Sequence, residues 1–268
     1  MIDYAKLMAQ ATVLRKQLGE DDSSPIDIFS LVQGVEGLTL VYYPMGEKLS
    51  GMCIKSQKGN NLIAINSAMT IGRQRFSLAH ELYHLYFDSC MMSVCGKRLN
   101  YGKEVEQSAD MFASYFLMPE AALIAFAEKI IKNHHSDGNP GRNNRTKSNA
   151  EAQLTLDDVI RIEQYFGISH QAAVYRLMHT SYLSNEEGTR LLNMSVRRRA
   201  EALGYSPALY LPLPAERQYM TYGHYIKQAE KLMESELVSY GKYEELLLDA
   251  FRADLVYGDG EEAGDVID

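Results

Sequence analysis

Two histidines, His80 and His84, stand four residues apart in a run whose apolar spacing is helical, and residues 74–87 contain neither Pro nor Gly to break it. On a helix, positions i and i+4 share a face, so the two imidazoles converge on one point about a turn apart. Zinc accepts a neutral imidazole nitrogen at ~2.0–2.1 Å, and two such ligands on rigid backbone make half a site. Glu81, one position round the helix, need not ligate. It can instead take a proton from a water that the metal activates. The plain alternative is a helix carrying two incidental histidines.

Such a helix needs a core to hold it. With 268 residues, 46% of them apolar and 23% charged, the chain can bury one large or two small domains. That composition excludes intrinsic disorder, a collagen-like repeat and a disulfide scaffold. The net charge of -8 is concentrated at one end: residues 254–268 hold six acids and no base. The body of the chain is therefore close to neutral, and global acidity does not exclude local contact with nucleic acid. Three cysteines, Cys53, Cys90 and Cys95, fit a reducing cytoplasm better than a secreted framework. The start lacks a basic segment followed by an apolar one, so no secretory signal is expected. Apolar runs such as residues 121–127 fall far short of the ~20 residues of a membrane span. The expectation is a cytoplasmic protein with no membrane contact.

Along the chain, residues 4–18 have helical spacing, and Pro25 with Ser24 before it suits the start of a second short helix. Residues 38–43 read as a strand. Residues 51–55 and 62–66 flank a Gln-Lys-Gly-Asn-Asn turn and read as a hairpin. Helices are expected over 71–87, 103–117 and 120–132. Residues 133–153 are polar and rich in turn formers, which predicts a flexible linker containing His134 and His135. Beyond it come helices at 157–166, stopped by Gly167, and at 170–178, capped by Ser169, with a third capped by Ser184. Residues 204–222 hold three prolines and read as irregular. Residues 226–248 predict one or two helices, and the acidic tail reads as disordered.

A catalytic zinc needs a third protein ligand and an open position for water. The helix over 103–117 offers Glu106 and Asp110, again i and i+4, while Ala109 and Ala113 permit close approach to the first helix. One carboxylate would bind the metal, and the other would accept the second N–H of a ligating imidazole, fixing its tautomer. Glu104 fits an exposed acidic helix start favoured by the macrodipole.

Three separated blocks then resemble one family in order: residues 73–84 around His80-Glu81-Leu82-Tyr83-His84, residues 106–113 around Glu106 and Asp110, and Phe116-Leu117-Met118-Pro119. The residues are similar to the ImmA/IrrE metallopeptidases, as are Pro25-Ile26-Asp27-Ile28 and Ser50-Gly51 upstream. The resemblance implies an α+β, zincin-like fold of the gluzincin type over residues 1–132, with a small antiparallel or mixed sheet. It implies His80, His84 and Glu106 as zinc ligands, Glu81 as general base, and Asp110 as the acceptor behind a ligating imidazole. It also implies cleavage of helix-turn-helix repressors and a part in stress-linked transcription control. Tyr83 stands where the family often has Gly, and residues 195–268 exceed the family's minimal unit. Mn²⁺ or Fe²⁺ would also suit two histidines and a carboxylate.

After the linker at 133–153, the rest of the chain divides into a helical subdomain at 154–203, a helical extension at 204–253 and the tail at 254–268. Residues 160–178, bent at Phe166-Gly167-Ile168-Ser169, resemble a helix-turn-helix. DNA binding would use His170, Gln171, Arg176 and His179, a weak set for neutralising phosphate; Arg197-Arg198-Arg199 could add to it. The competing reading is a helical subdomain packed on the protease. The sequence therefore predicts a zinc endopeptidase acting on a repressor. The rival is a regulator of little or no turnover that binds a protein or DNA through the groove or residues 155–180.

Overall fold

The computed structural model describes residues 2–96, 102–136 and 154–258. Its sheet is mixed and has five strands: β1 (Leu38–Tyr43), β2 (Leu49–Ile54), β3 (Asn61–Asn66), β4 (Met92–Gly96) and β5 (Met220–Gly223), in spatial order β4-β2-β3-β1-β5. β3 lies at the centre, parallel to β1 with Leu40 opposite Ile63, and antiparallel to β2 with Cys53 opposite Ile63. A central strand is covered on both faces, and Ile63, Ala64, Ile65 and Asn66 are accordingly buried in succession. β1 instead alternates, sending Leu38, Leu40 and Tyr42 into the core.

The helices in the first half are α1 (Tyr4–Gln17), α2 (Ile28–Gln33), α3 (Ile71–Phe87), α4 (Lys103–Leu117) and α5 (Glu120–Ser136). Those in the second half are α6 (Leu156–Phe166), α7 (His170–His179), α8 (Asn185–Leu192), α9 (Arg197–Ala202), α10 (His224–Glu234), α11 (Tyr240–Asp249) and α12 (Ala253–Tyr257). The α+β class and the mainly helical C-terminal region agree with the sequence expectation. Among the described residues no single helix is long and apolar enough to cross a membrane.

Local readings failed where pairing or capping had a second solution. The second helix begins at Ile28, not Pro25. Asp27 caps it by accepting from the Phe29 N–H at 3.2 Å, while Ser24 is drawn into a turn around Asp21, whose Oδ1 accepts the Ser24 N–H at 2.6 Å. The hairpin of β2 and β3 forms, and β4 pairs beyond β2 with Gly51 opposite Cys95. Residues 204–222, read as irregular, contain most of β5, which pairs antiparallel with β1 (Leu40 opposite Tyr222). Both short strands owe their form to a partner distant in sequence, and local pattern carries no trace of that. His134, assigned to the linker, lies on α5 and bonds Asp158 Oδ1 at 3.1 Å. The remainder of the linker reading, residues 137–153, and the tail from 259 lie outside the described residues; α12 covers the start of the acidic stretch.

One hydrophobic core runs from Leu7 and Leu14 of α1, through Leu78 and Leu82 of α3 and Phe112 and Phe116 of α4, to Phe166, Val174 and Leu177 of α6 and α7. Polar contacts fix the joints. Arg15, 1% exposed, donates to the Phe116 carbonyl at 2.6 Å and to the Ser24 carbonyl at 2.5 Å, tying α1 to the end of α4. Gly167 ends α6 at φ 66, and Arg75 of α3 donates through Nε to its carbonyl at 2.7 Å. A Cβ at Gly167 would meet that Nε at 2.8 Å, so the turn needs glycine for conformation and for space.

His170 clamps the helical region: its Nδ1 bonds buried Glu163 at 2.5 Å and its Nε2 bonds the Leu191 carbonyl at 2.9 Å. Burial by itself would lower the His170 pKa, but the Glu163 bond outweighs it and raises the value above the usual imidazole range. A raised folded-state value places the stabilisation below the unfolded pKa of about 6.5. The stability that wild type holds over Glu163→Gln in urea unfolding should be largest below that pH. It should shrink as pH rises through the folded value, and a difference that grows with pH would contradict the clamp.

Candidate metal centre

α3 holds the central motif because its first half is anchored and its inner face is buried. Gln74 donates to the Ser67 and Met69 carbonyls at 3.0 and 2.6 Å, and Leu78, Ala79, Leu82 and both motif histidines are buried. α4 lies against it through Ala109 and Ala113, both 0% exposed. Tyr83, the departure from the family pattern, fills the next space along this seam, with ring centroids 5.6 Å from Phe112 and 5.9 Å from Phe87.

That packing brings the predicted residues together. His80 Nε2 and His84 Nε2 stand 3.2 Å apart; Glu106 places Oε2 3.5 Å from the first and Oε1 3.5 Å from the second. Behind the rings, His80 Nδ1–H donates to Asp110 Oδ1 at 2.9 Å and His84 Nδ1–H donates to Asp88 Oδ2 at 2.9 Å. Asp110 takes the position expected for it. Asp88, the residue that caps α3, was not anticipated, although it stands i+4 from His84 and the helical rule that paired the histidines applies to it equally. Cys95 is the second unanticipated member. Its Sγ lies 3.9 Å from Glu106 Oε1, and His80, His84, Cys95 and Glu106 each offer a donor atom within 4.8 Å of the others. Cys90, five residues before it, is exposed.

With both Nδ1 atoms donating to carboxylates, the Nε2 atoms turn lone pairs toward each other and toward two carboxylate oxygens. Such a set is electrostatically tolerable only around positive charge. Ligands ~2.0–2.1 Å from a tetrahedral centre stand roughly 3.3–3.4 Å apart, which is the spacing found here. The donor set therefore fits a divalent ion of the zinc type. Without metal, protons supply the charge. Burial would lower the His84 pKa, but bonds from Cys95 and Glu106 raise it to about 10. His80 likewise rises, burial being outweighed by Asp110, Cys95 and Glu106. For Glu106, burial acts upward but the two histidines hold the carboxyl down at about 2.

Glu81 sits beside the donors, 0% exposed. Its Oε2 accepts from Ser93 Oγ at 3.4 Å, while Oε1 is buried without a hydrogen-bond partner. Gly51 on β2 makes room for it: a Cβ there would stand 2.8 Å from Glu81 Oε1 and 3.1 Å from the Ala64 carbonyl. Burial raises the Glu81 pKa above the ordinary carboxylate value, with His80 and His84 opposing. On the open side, a cleft of about 670 Å³ reaches His80, Glu106 and Asp110 between Arg73, Phe76 and Met111 on one flank and Tyr175 on α7.

Two of the four residues of the DNA-reading set are engaged elsewhere, while Gln171 and His179 are exposed. His170 is held by Glu163 and Leu191, and Arg176 is buried in a pair with Glu120 over the Tyr115 ring. Arg199 forms a two-pronged pair with Asp157 at 2.6 and 2.5 Å.

A family model for the IrrE N-terminal-like domain, Peptidase_M78, matches residues 34–178, more than half of the chain and the part that builds this centre. The chain belongs to that family. Two curated relatives, the radiation response metalloproteases IrrE of Deinococcus radiodurans and of Deinococcus deserti, are each 34% identical, over 111 and 100 residues. These matches cover 39% and 35% of this chain, and the chain spans about a third of each relative's length, 32% and 34%. A Mycobacterium tuberculosis transcriptional regulator superposes at a TM-score of 0.41 with 15% identity, over 65% of this chain and 46% of that one; a likeness at that level carries no argument.

Two outcomes follow for the centre. Asp88→Asn should weaken zinc binding by roughly 10–100-fold, as loss of an imidazole-orienting carboxylate does, measured by competition with a chromophoric chelator. Gly51→Ala should lower stability by about 1–3 kcal/mol through overpacking against Glu81, read in urea unfolding; an unchanged midpoint would refute the close approach.

Proposed function

We propose that this chain is a zinc-dependent endopeptidase that hydrolyses a peptide bond in a partner protein, a helix-turn-helix transcriptional repressor, in the cytoplasm. The observation that carries the reading is the convergence of His80, His84 and Glu106 lone pairs beside a buried carboxylate, Glu81, with one oxygen unpartnered. A docking surface has no need of Glu81 in that position. Membership of a metallopeptidase family supports hydrolysis, and the relatives' name, radiation response metalloprotease, supports a stress-linked role.

His80 Nε2, His84 Nε2 and Glu106 would hold the ion, zinc before manganese or iron because two imidazoles favour the softer metal. Asp110 and Asp88 keep both rings in the tautomer that leaves Nε2 free to bind. When bound, the divalent ion supplies Lewis acidity, acidifying a water and polarising the scissile carbonyl. Glu81 takes the proton of the attacking water and passes it to the leaving amine. Its upward-shifted pKa suits the second half of that task, since the acid form must survive long enough to donate. The cleft's Phe76, Met111 and Tyr175 give an extended peptide apolar contacts, and Arg73 gives it a cationic one.

The test is incubation with purified helix-turn-helix repressors from the same genome, beginning with any encoded next to this chain's gene. Two discrete fragments are expected by mass spectrometry, and none in the presence of a chelator. Glu81→Gln should retain bound zinc and lose cleavage by at least roughly 100-fold. Cleavage by Glu81→Gln, in a preparation free of wild type, would overturn the assignment of the base.

A further inference from the structure

Around the candidate centre, β4 does more than complete the sheet. Ser93 and Cys95 are two residues apart on one strand, so they face the same side, and both reach the centre. Ser93 Oγ donates to Glu81 Oε2, and Cys95 Sγ lies 3.9 Å from Glu106 Oε1 as the fourth member of the donor group. Cys95 is 2% exposed and Glu81 is 0% exposed, so in this conformation neither the base nor the sulfur is open to the cleft. A general base so enclosed is not reached from the cleft. Sulfur ~2.3 Å from zinc and oxygen ~2.0–2.2 Å from it, at a tetrahedral angle, stand roughly 3.6 Å apart, close to the distance found. Opposite Cys95 in the β2–β4 ladder is Gly51, whose missing side chain leaves room for Glu81.

We propose that Cys95 is a fourth protein ligand of the metal, binding as thiolate in the coordination position that a hydrolytic water requires, so that this conformation is a closed, resting centre. Structural zinc sites are closed by four protein ligands, whereas catalytic ones keep a position open. Two histidines, a glutamate and a cysteine make the closed type. Opening then consists of Cys95 leaving the metal and β4 withdrawing Ser93 from Glu81, which exposes the base and the fourth position together. β4 is suited to this as a five-residue strand that, among the described residues, is paired on one side only, by β2. The proposal rests on the metallopeptidase reading above.

Cobalt(II) tests it, because a cysteine thiolate on cobalt gives a sulfur-to-metal charge-transfer band in the near ultraviolet that histidine and carboxylate ligands do not. Cobalt-loaded full-length wild type should show that band, Cys95→Ser should lose it while keeping the visible d–d bands, and Cys53→Ser should keep it. Zinc affinity of Cys95→Ser, by chelator competition, should fall by at least roughly tenfold, since a direct ligand matters no less than a residue that only orients one. Hydrolysis of a quenched fluorogenic peptide library by zinc-loaded Cys95→Ser should exceed that of wild type. Cobalt bound without the charge-transfer band in wild type overturns the role of Cys95 and leaves the peptidase reading intact. So does a band that depends on Cys53, or a folded Cys95→Ser that binds metal and has lost hydrolysis. Cobalt that does not bind at all overturns both.

Discussion

Four electron-rich atoms would repel one another if nothing forced them together, and in this chain the force is the packing of α3 on α4. The seam is made of Ala109, Ala113, Tyr83, Phe87 and Phe112, and the buried members contribute the hydrophobic free energy, about 1.5–3 kcal/mol for a fully buried large side chain. That energy offsets the cost of setting Glu106 against two imidazoles. The pair Asp110 and Asp88 then removes the rings' remaining freedom, one from each side of the seam. The centre is thus organised by packing first and by hydrogen bonds second, which is how a site can be shaped for a cation before one arrives.

The rest of the fold serves that seam. Arg15 braces the far end of α4 through the Phe116 carbonyl, and Arg75 binds the first half of α3 to the turn between α6 and α7. The helix-turn-helix resemblance of α6 and α7 is thereby explained as a packing device. Its Gly167 accommodates an arginine from α3, and two of the four polar residues that would face DNA, His170 and Arg176, are engaged by Glu163 and Glu120, while Gln171 and His179 stay exposed. β5 extends the sheet at the edge opposite β4, so a segment far along the chain becomes part of the sheet that carries the centre.

How far the sequence could be read depends on the range of the interaction involved. The spacing of His80 and His84, and of Glu106 and Asp110, follows from helical geometry alone, and both pairs lie where that geometry places them. Asp88 obeys the same rule and could have been read from it. The start of α2 could not be, because Pro25 after Ser24 and Asp27 before Ile28 are both good helix starts, and Asp21 settled the choice by engaging Ser24. β4 and β5 carry weak local signals, five and four residues long, and become strands through partners elsewhere in the chain.

Cys95 marks the boundary most clearly. Nothing in its neighbourhood along the chain separates it from Cys90, which is exposed. Its place at the centre comes from the register of β4 on β2, with Gly51 opposite, and a slip of one residue would turn its side chain to the other face. The convergence of His80 with His84 and of Glu106 with Asp110 is local, set by a period of 3.6 residues, and so it is written into the order of the amino acids. Whether a cysteine joins that group is non-local, set by a strand register, and it arises only once the sheet has formed.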